Sequence, residues 1–150
     1  MEPRMNVDLV APEAKKAMLG LEMYTRKHVP HVLLHLVKLR ASVINGCAYC
    51  VDMHSADALK DGESARRLFA VSAWREAPFF TEQERAVLAL TDAVTSISVA
   101  GVPDEVWATA RAVFSERELA DLLMAIVTIN GWNRLAISTH MQPADAAKAA

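Results

Sequence analysis

Two helix-start signals constrain the fold of this chain more than any other feature. Thr81–Glu84 and Ser115–Glu118 both match the capping box, in which a hydroxyl side chain accepts a backbone N–H bond and a glutamate three residues on caps back. After each box, apolar residues recur every three or four positions, which is typical of a helix buried along one face. The chain has no run of alternating apolar and polar residues bounded by turns, so no sheet is predicted.

Prolines and glycines divide the rest of the chain into further helices. Proline is favoured in the first turn of a helix, and glycine is favoured just after its end. These signals predict helices near residues 12–27, 30–44, 47–61, 63–74, 82–96, 103–113 and 116–139. We therefore predict an all-α fold, a compact bundle of about six to seven helices.

The length and composition are typical of one soluble domain. The chain has 150 residues, of which 53% are apolar and 23% charged, and this balance excludes disorder. We expect a single domain over residues 1–150, with frayed ends before about residue 8 and after about residue 142. The net charge of −2 offers no surface for phosphates, so no nucleic-acid partner is predicted.

No membrane or export segment is predicted either. The longest apolar run, 122–127, is far shorter than the roughly 20 residues that a membrane span needs. The first residues include acidic side chains and form no apolar stretch, unlike a secretory signal. We therefore expect a cytoplasmic protein. In the cytoplasm two cysteines are not expected to form a structural disulfide.

The two cysteines, Cys47 and Cys50, are the most informative residues. They follow the helix break Asn45-Gly46, so Cys47 is expected in the first turn of a new helix. At 100° per residue, Cys47, Cys50 and His54 share one helix face. The positive end of the helix dipole favours thiolate, and cysteines one turn apart are close enough for a disulfide. His54 lies within reach to take a proton from a thiol. These are the parts of a dithiol redox site.

Two other interpretations of these residues remain open. Two cysteines at helical spacing are often small core residues. Alternatively, His35, Cys47, Cys50 and His54 could form a tetrahedral Cys₂His₂ zinc site, although the gap after His35 is not a familiar finger spacing.

The residues around the cysteines resemble a known family. Residues 36–54 read LVKLRASVINGCAYCVDMH, and the similarity is dense over 36–62. This segment resembles the core signature of the AhpD-like alkylhydroperoxidases, which belong to the carboxymuconolactone decarboxylase superfamily. A weaker similarity covers residues 129–135, which read INGWNRL.

The resemblance implies an all-helical fold and a homo-oligomer, commonly a trimer or hexamer. It implies an antioxidant peroxidase that reduces hydroperoxides, or a partner peroxiredoxin, with an external thiol or lipoyl-type reductant and no bound cofactor. In the family the second cysteine is usually peroxidatic and the first resolving, with a histidine in the proton relay. Those roles fall on Cys50, Cys47 and His54, with Cys47 and Cys50 as the redox-active disulfide.

The chain departs from the family at two candidate catalytic positions. His35 stands twelve residues before the first cysteine, where the family has a relay glutamate, and we expect it to face the thiols. Tyr49 stands where better-characterised members have a second histidine. Imidazole can pass a proton, but it cannot supply the fixed negative charge that makes a neighbouring histidine more basic.

Two alternatives to a peroxidase are kept. One is a non-enzymatic helical module, either stabilised by zinc or purely oligomeric. The other is a lyase of the carboxymuconolactone decarboxylase type, a reaction that does not explain the pair of cysteines.

Residues 119–137 are apolar over much of the helix circumference, which favours assembly into an oligomer.

Overall fold

The computed structural model describes residues 2–143, and they form an all-α bundle, as predicted. The helices are α1 (Val7–Val10), α2 (Pro12–His28), α3 (His31–Asn45), α4 (Ala48–Lys60), α5 (Ala65–Ala70), α6 (Glu82–Thr95), α7 (Ile97–Ala100), α8 (Asp104–Val113) and α9 (Glu116–Thr139), with a 3₁₀ turn at Val71–Ala73. Within residues 2–143 there is no strand, and no helix is both long and apolar enough to cross a membrane.

Most predicted helices are found within a few residues of their expected ends, but three details differ. The single helix expected over 63–74 is α5 followed by the 3₁₀ turn. The short helices α1 and α7 were not predicted, because four residues are too few to show a periodic pattern. The N-terminal end is also less frayed than expected, since Arg4 donates a backbone hydrogen bond to Thr139 O at 2.9 Å. The end predicted to fray after about residue 142 lies almost wholly outside the described residues.

Helix α3 lies at the centre of the bundle and packs most extensively against α4, α6 and α9. Leu36, Val37 and Ala41 of this helix are fully buried. One apolar cluster joins α3 to α6, α8 and α9, and a second joins it to α4, α5 and the loop before α6. Both predicted capping boxes are formed, with reciprocal bonds between Thr81 and Glu84 and between Ser115 and Glu118.

A buried amide network fixes the end of α3 against α9. Asn45 Nδ2 lies 2.9 Å from both Asn130 Oδ1 and Asn133 Oδ1. Asn133 in turn donates to Ser42 Oγ at 3.0 Å, and Asn130 donates to Thr95 Oγ1 at 3.0 Å. Because buried polar groups are costly unless they are paired, this network sets where α3 ends and the cysteine segment begins.

Candidate active site

Cys47 caps helix α4 rather than lying in its first turn, where it was expected. Gly46 ends α3 in the left-handed conformation, with φ of 69°, and α4 begins at Ala48. The Cys47 Sγ accepts a hydrogen bond from the backbone N–H of Cys50 at 3.4 Å. The sulfur therefore satisfies one of the free N–H groups at the helix start, a position that favours negative charge.

Cys47 and Cys50 are joined by a disulfide, with their Cα atoms 5.4 Å apart. Both are buried, with exposed fractions of 2% and 1%. A reagent can therefore reach the sulfur atoms only through a cavity, not across the open surface.

A cavity of about 260 Å³, here called the thiol cavity, leads to this disulfide from one side. Cys50 and His54 line it, whereas Cys47 does not. Much of its wall is apolar and comes from three helices: Leu19 of α2, Met53 of α4, and Trp132 and Ala136 of α9. Tyr49, the second departure from the family motif, also lines it and packs against the two cysteines. The geometry thus distinguishes the two cysteines by access.

His54 is buried on α4, with an exposed fraction of 4%. Burial, and next the positive charge of Lys38, lower the pKa of its imidazole to about 3, while Glu22 opposes the change. His54 is therefore neutral at ordinary pH in the disulfide form, so one ring nitrogen is a donor and the other an acceptor.

Three charged residues beside His54 were not singled out from the sequence. Lys38 of α3 forms a buried ion pair with Glu22 of α2, and Arg26 donates from Nε to the same Glu22 oxygen at 2.7 Å. Burial raises the pKa of the Glu22 carboxyl, but the hydrogen bonds from Arg26 and Lys38 outweigh it and give a net lowering. A lysine within the apolar stretch of α3 was a usable sequence signal, whereas Glu22 gave none.

His35 does not face the thiols, contrary to the expectation from the sequence. It lies in the first half of α3, and its Nε2 is 2.9 Å from Asp61 Oδ2 at the end of α4. It lines a second cavity of about 200 Å³, here called the polar cavity, which His54 also lines and neither cysteine does. His54 and Arg26 thus line both the thiol cavity and the polar cavity.

The four residues of the alternative zinc site are not gathered around one point. Cys47 and Cys50 are bonded to each other, and the His35 side chain is hydrogen-bonded to Asp61. Among residues 2–143, no group of three or more histidine, cysteine, aspartate or glutamate side chains is placed to hold a metal ion.

Comparison with known proteins supports the resemblance seen in the sequence. The sequence profile of the carboxymuconolactone decarboxylase family matches residues 12–93. The chain belongs to this family. It is 38% identical to the uncharacterized protein YdfG of Bacillus subtilis (strain 168), over 92% of this chain and 95% of that protein. It is 30% identical to the uncharacterized protein YnjA of Escherichia coli (strain K12), over 67% of this chain and 55% of that protein.

Solved structures of other proteins share the same bundle. A protein of unknown function from Agrobacterium tumefaciens, ATU0492, described as a candidate antioxidant defence protein AhpD, superimposes with a TM-score of 0.92. It is 46% identical, with 95% of this chain and 98% of that chain covered. A debrominase superimposes with a TM-score of 0.81 at 24% identity, over 92% of this chain and 75% of that chain, and shares the fold alone.

Proposed function

We propose that the chain is a dithiol peroxidase that reduces hydroperoxides through a disulfide cycle between Cys47 and Cys50. One observation carries the proposal: Cys50 and His54 line a single, largely apolar cavity, and Cys47 lies bonded behind Cys50. The AhpD description of the A. tumefaciens relative supports the same class of reaction.

The oxidative half of the cycle begins at Cys50, because its side chain lines the cavity. The Cys50 thiolate attacks one peroxide oxygen of ROOH, so an S–O bond forms, the O–O bond breaks and ROH leaves after taking up a proton. The Cys47 thiol then attacks the Cys50 sulfenic acid, forming the disulfide and releasing water. In total the dithiol and ROOH give the disulfide, ROH and water. His54 lines the same cavity as a neutral imidazole, which can accept a proton at one ring nitrogen and donate one from the other.

An external dithiol restores the reduced state. It attacks the Cys50 sulfur from the cavity, and Cys47 leaves as a thiolate that the Cys50 N–H and the start of α4 stabilise. The second donor thiol then displaces Cys50, so the donor leaves oxidised and two electrons remain on the protein. Because both sulfurs are buried, this donor is a slender thiol such as a lipoyl arm.

Assembly into a homo-oligomer is a further part of the proposal. Val127 and Ile137 on α9, and Met23 on α2, are exposed apolar side chains. Burying them against other copies of the chain would remove this surface from water. A sedimentation mass of one chain, 16.4 kDa, at micromolar concentration would contradict the assembly.

The test of the cycle is thiol counting after one addition of peroxide. Reduced protein is treated with an alkyl hydroperoxide, quenched with an alkylating reagent and analysed by mass spectrometry. We expect loss of both thiols as one intramolecular disulfide. Cys47→Ser should stop at an oxidised Cys50, and Cys50→Ser should not react. The proposal fails if both thiols of the unmodified protein persist, or if they are oxidised to sulfinic acid without a disulfide.

A further inference from the structure

The charges beside His54 do not cancel. Glu22 is the single carboxylate of the group, and it receives hydrogen bonds from both Lys38 and Arg26 through the same oxygen, Oε1. Within these three residues, two cations and one anion leave one net positive charge, while Asp57 attracts both cations from the side of the polar cavity. The Lys38 side chain is buried, with 3% of the residue exposed, so water screens its charge only weakly.

This charge group reaches both sides of the His54 imidazole. Glu22 and Arg26 line the thiol cavity together with Cys50, and Lys38 lines the polar cavity. His54 lines both cavities, so the charge group adjoins the wall in which the imidazole lies. An anion formed in the thiol cavity would therefore meet a positive field.

His54 itself does not supply that positive charge. Burial, and next the charge of Lys38, lower the pKa of His54 to about 3, so the imidazole is neutral at ordinary pH. A cysteine thiolate is commonly stabilised by a neighbouring imidazolium, lysine or arginine. Here the buried cation of this kind is the ammonium of Lys38.

We propose that Lys38 is the buried cation that stabilises the Cys50 thiolate of the reduced protein, and that Glu22 and Arg26 hold its ammonium beside the site. The inference rests on the proposed role of Cys50. Lys38 acts through its charge rather than by contact, which makes it a positioning residue. Burial lowers the pKa of Lys38, and the ion pair with Glu22 opposes that change and favours the charged form.

The other charged groups that line the two cavities offer no second buried cation. Helix α9 contributes apolar side chains to the thiol cavity. The remaining charged or titratable groups are Tyr49 and the Lys15–Asp8 pair in the thiol cavity, the His35–Asp61 pair, and His31, Asp57 and Lys60 around the polar cavity.

The test is a titration of Cys50 by its ultraviolet thiolate absorbance, in a Cys47→Ser background where Cys50 is the single thiol. Lys38→Met leaves Glu22 paired with Arg26 and makes the group neutral, so the Cys50 pKa should rise by about one unit. About tenfold less thiolate would then be present below the pKa. Adding Glu22→Gln removes the carboxylate and restores one net positive charge, so the pKa should fall back towards the parent value.

Matched controls separate charge from packing. Lys60→Met removes an exposed lysine of the polar cavity and should leave the Cys50 pKa unchanged. Lys38→Gln keeps a hydrogen-bond donor to Glu22 and serves as the second neutral variant if Lys38→Met does not fold. In the disulfide form, the His54 pKa measured by NMR should rise in Lys38→Met and fall again in the double variant. If Lys38 served only in packing, its replacement would change the melting temperature, but the pKa values of Cys50 and His54 would not return towards the parent values in the double variant.

The inference is overturned if the Cys50 pKa is the same with and without the Lys38 charge, or if it rises further when Glu22 is also neutralised. The titration uses neither peroxide nor reductant. A protein that consumes no peroxide but shows the reversal would therefore contradict the proposed function and keep this inference. An active peroxidase whose Cys50 pKa does not change in Lys38→Met would support the proposed function and contradict this inference.

Discussion

The His35 imidazole lies 2.9 Å from the Asp61 carboxylate, and this contact joins the first half of α3 to the end of α4. The position at which the family motif has a relay glutamate is therefore occupied by a histidine that already has a carboxylate partner. Asp61 caps the end of the helix that carries His54, and the pair lines the polar cavity, which neither cysteine lines.

Restoring the family residue at position 35 should not restore a relay. His35→Glu would place two carboxylates where an imidazole and a carboxylate now meet. Asp61 is half-exposed, so we expect a modest cost of roughly 0.5–1 kcal/mol in the free energy of unfolding, with no gain in peroxide turnover. The measurement is urea unfolding together with steady-state peroxide consumption.

The matched control for this prediction is His35→Glu combined with Asp61→Asn. It removes the repulsion and should recover most of the lost stability. A rise in turnover of about tenfold in the single variant would mean instead that position 35 communicates with the thiols.

The fold was predictable from the sequence because the signals that start and end its helices are local. The residues that other helices contribute to the site were not predictable in this way. The capping boxes and the Asn45-Gly46 break act within a few residues, so the helices and the position of Cys50 and His54 on one helix followed from the sequence. Glu22 reaches the thiol cavity only because α2 packs beside α3 and α9, and no spacing along the chain encodes that approach. The orientation of His35 was predicted wrongly, because its place in the family motif does not determine where its side chain points. The hydrogen bond with Asp61 determines that direction.

The apolar wall of the thiol cavity should select among peroxides by size. Met53 lines the cavity near its exposed side, so Met53→Trp would narrow it without touching the disulfide. We expect kcat/KM for cumene hydroperoxide to fall by about tenfold, roughly 1.4 kcal/mol, while the value for hydrogen peroxide changes little. Phe69→Trp, at an exposed position on α5 outside the cavity, is the control. Equal losses for both peroxides would show that access is not what Met53 controls.

Burial of neutral His54 should make the disulfide form less stable in acid. The unfolded chain binds a proton at this residue below its ordinary pKa of 6.5, whereas the folded protein does so only near pH 3. Stability is therefore lost as the pH falls from about 6.5 towards 3, at about 1.4 kcal/mol per pH unit. Between pH 7 and pH 4 this residue should account for about 3 kcal/mol of the decrease. Urea unfolding at both pH values, compared with His54→Gln, isolates the effect because the carboxylates titrate in both proteins. If the free energy of unfolding falls equally in the two proteins between pH 7 and pH 4, the prediction is wrong.

The amide network should be the most sensitive structural support of the cysteine segment. Asn133 is fully buried, accepts from Asn45 and donates to Ser42, so Asn133→Leu removes one hydrogen bond from each of them. Asn45 Nδ2 keeps Ala41 O and Asn130 Oδ1 as acceptors, and the Ser42 hydroxyl still donates to Lys38 O. A hydrogen bond contributes about 0.5–1.5 kcal/mol, so we expect a loss of about 1–3 kcal/mol in the free energy of unfolding. Ser138→Ala, at an exposed position further along α9, should cost much less. Because the network sets the end of α3 just before Cys47, the same variant should also slow disulfide formation after peroxide addition. A destabilised variant that forms the disulfide at the parent rate would show that the network supports the fold without placing the cysteines.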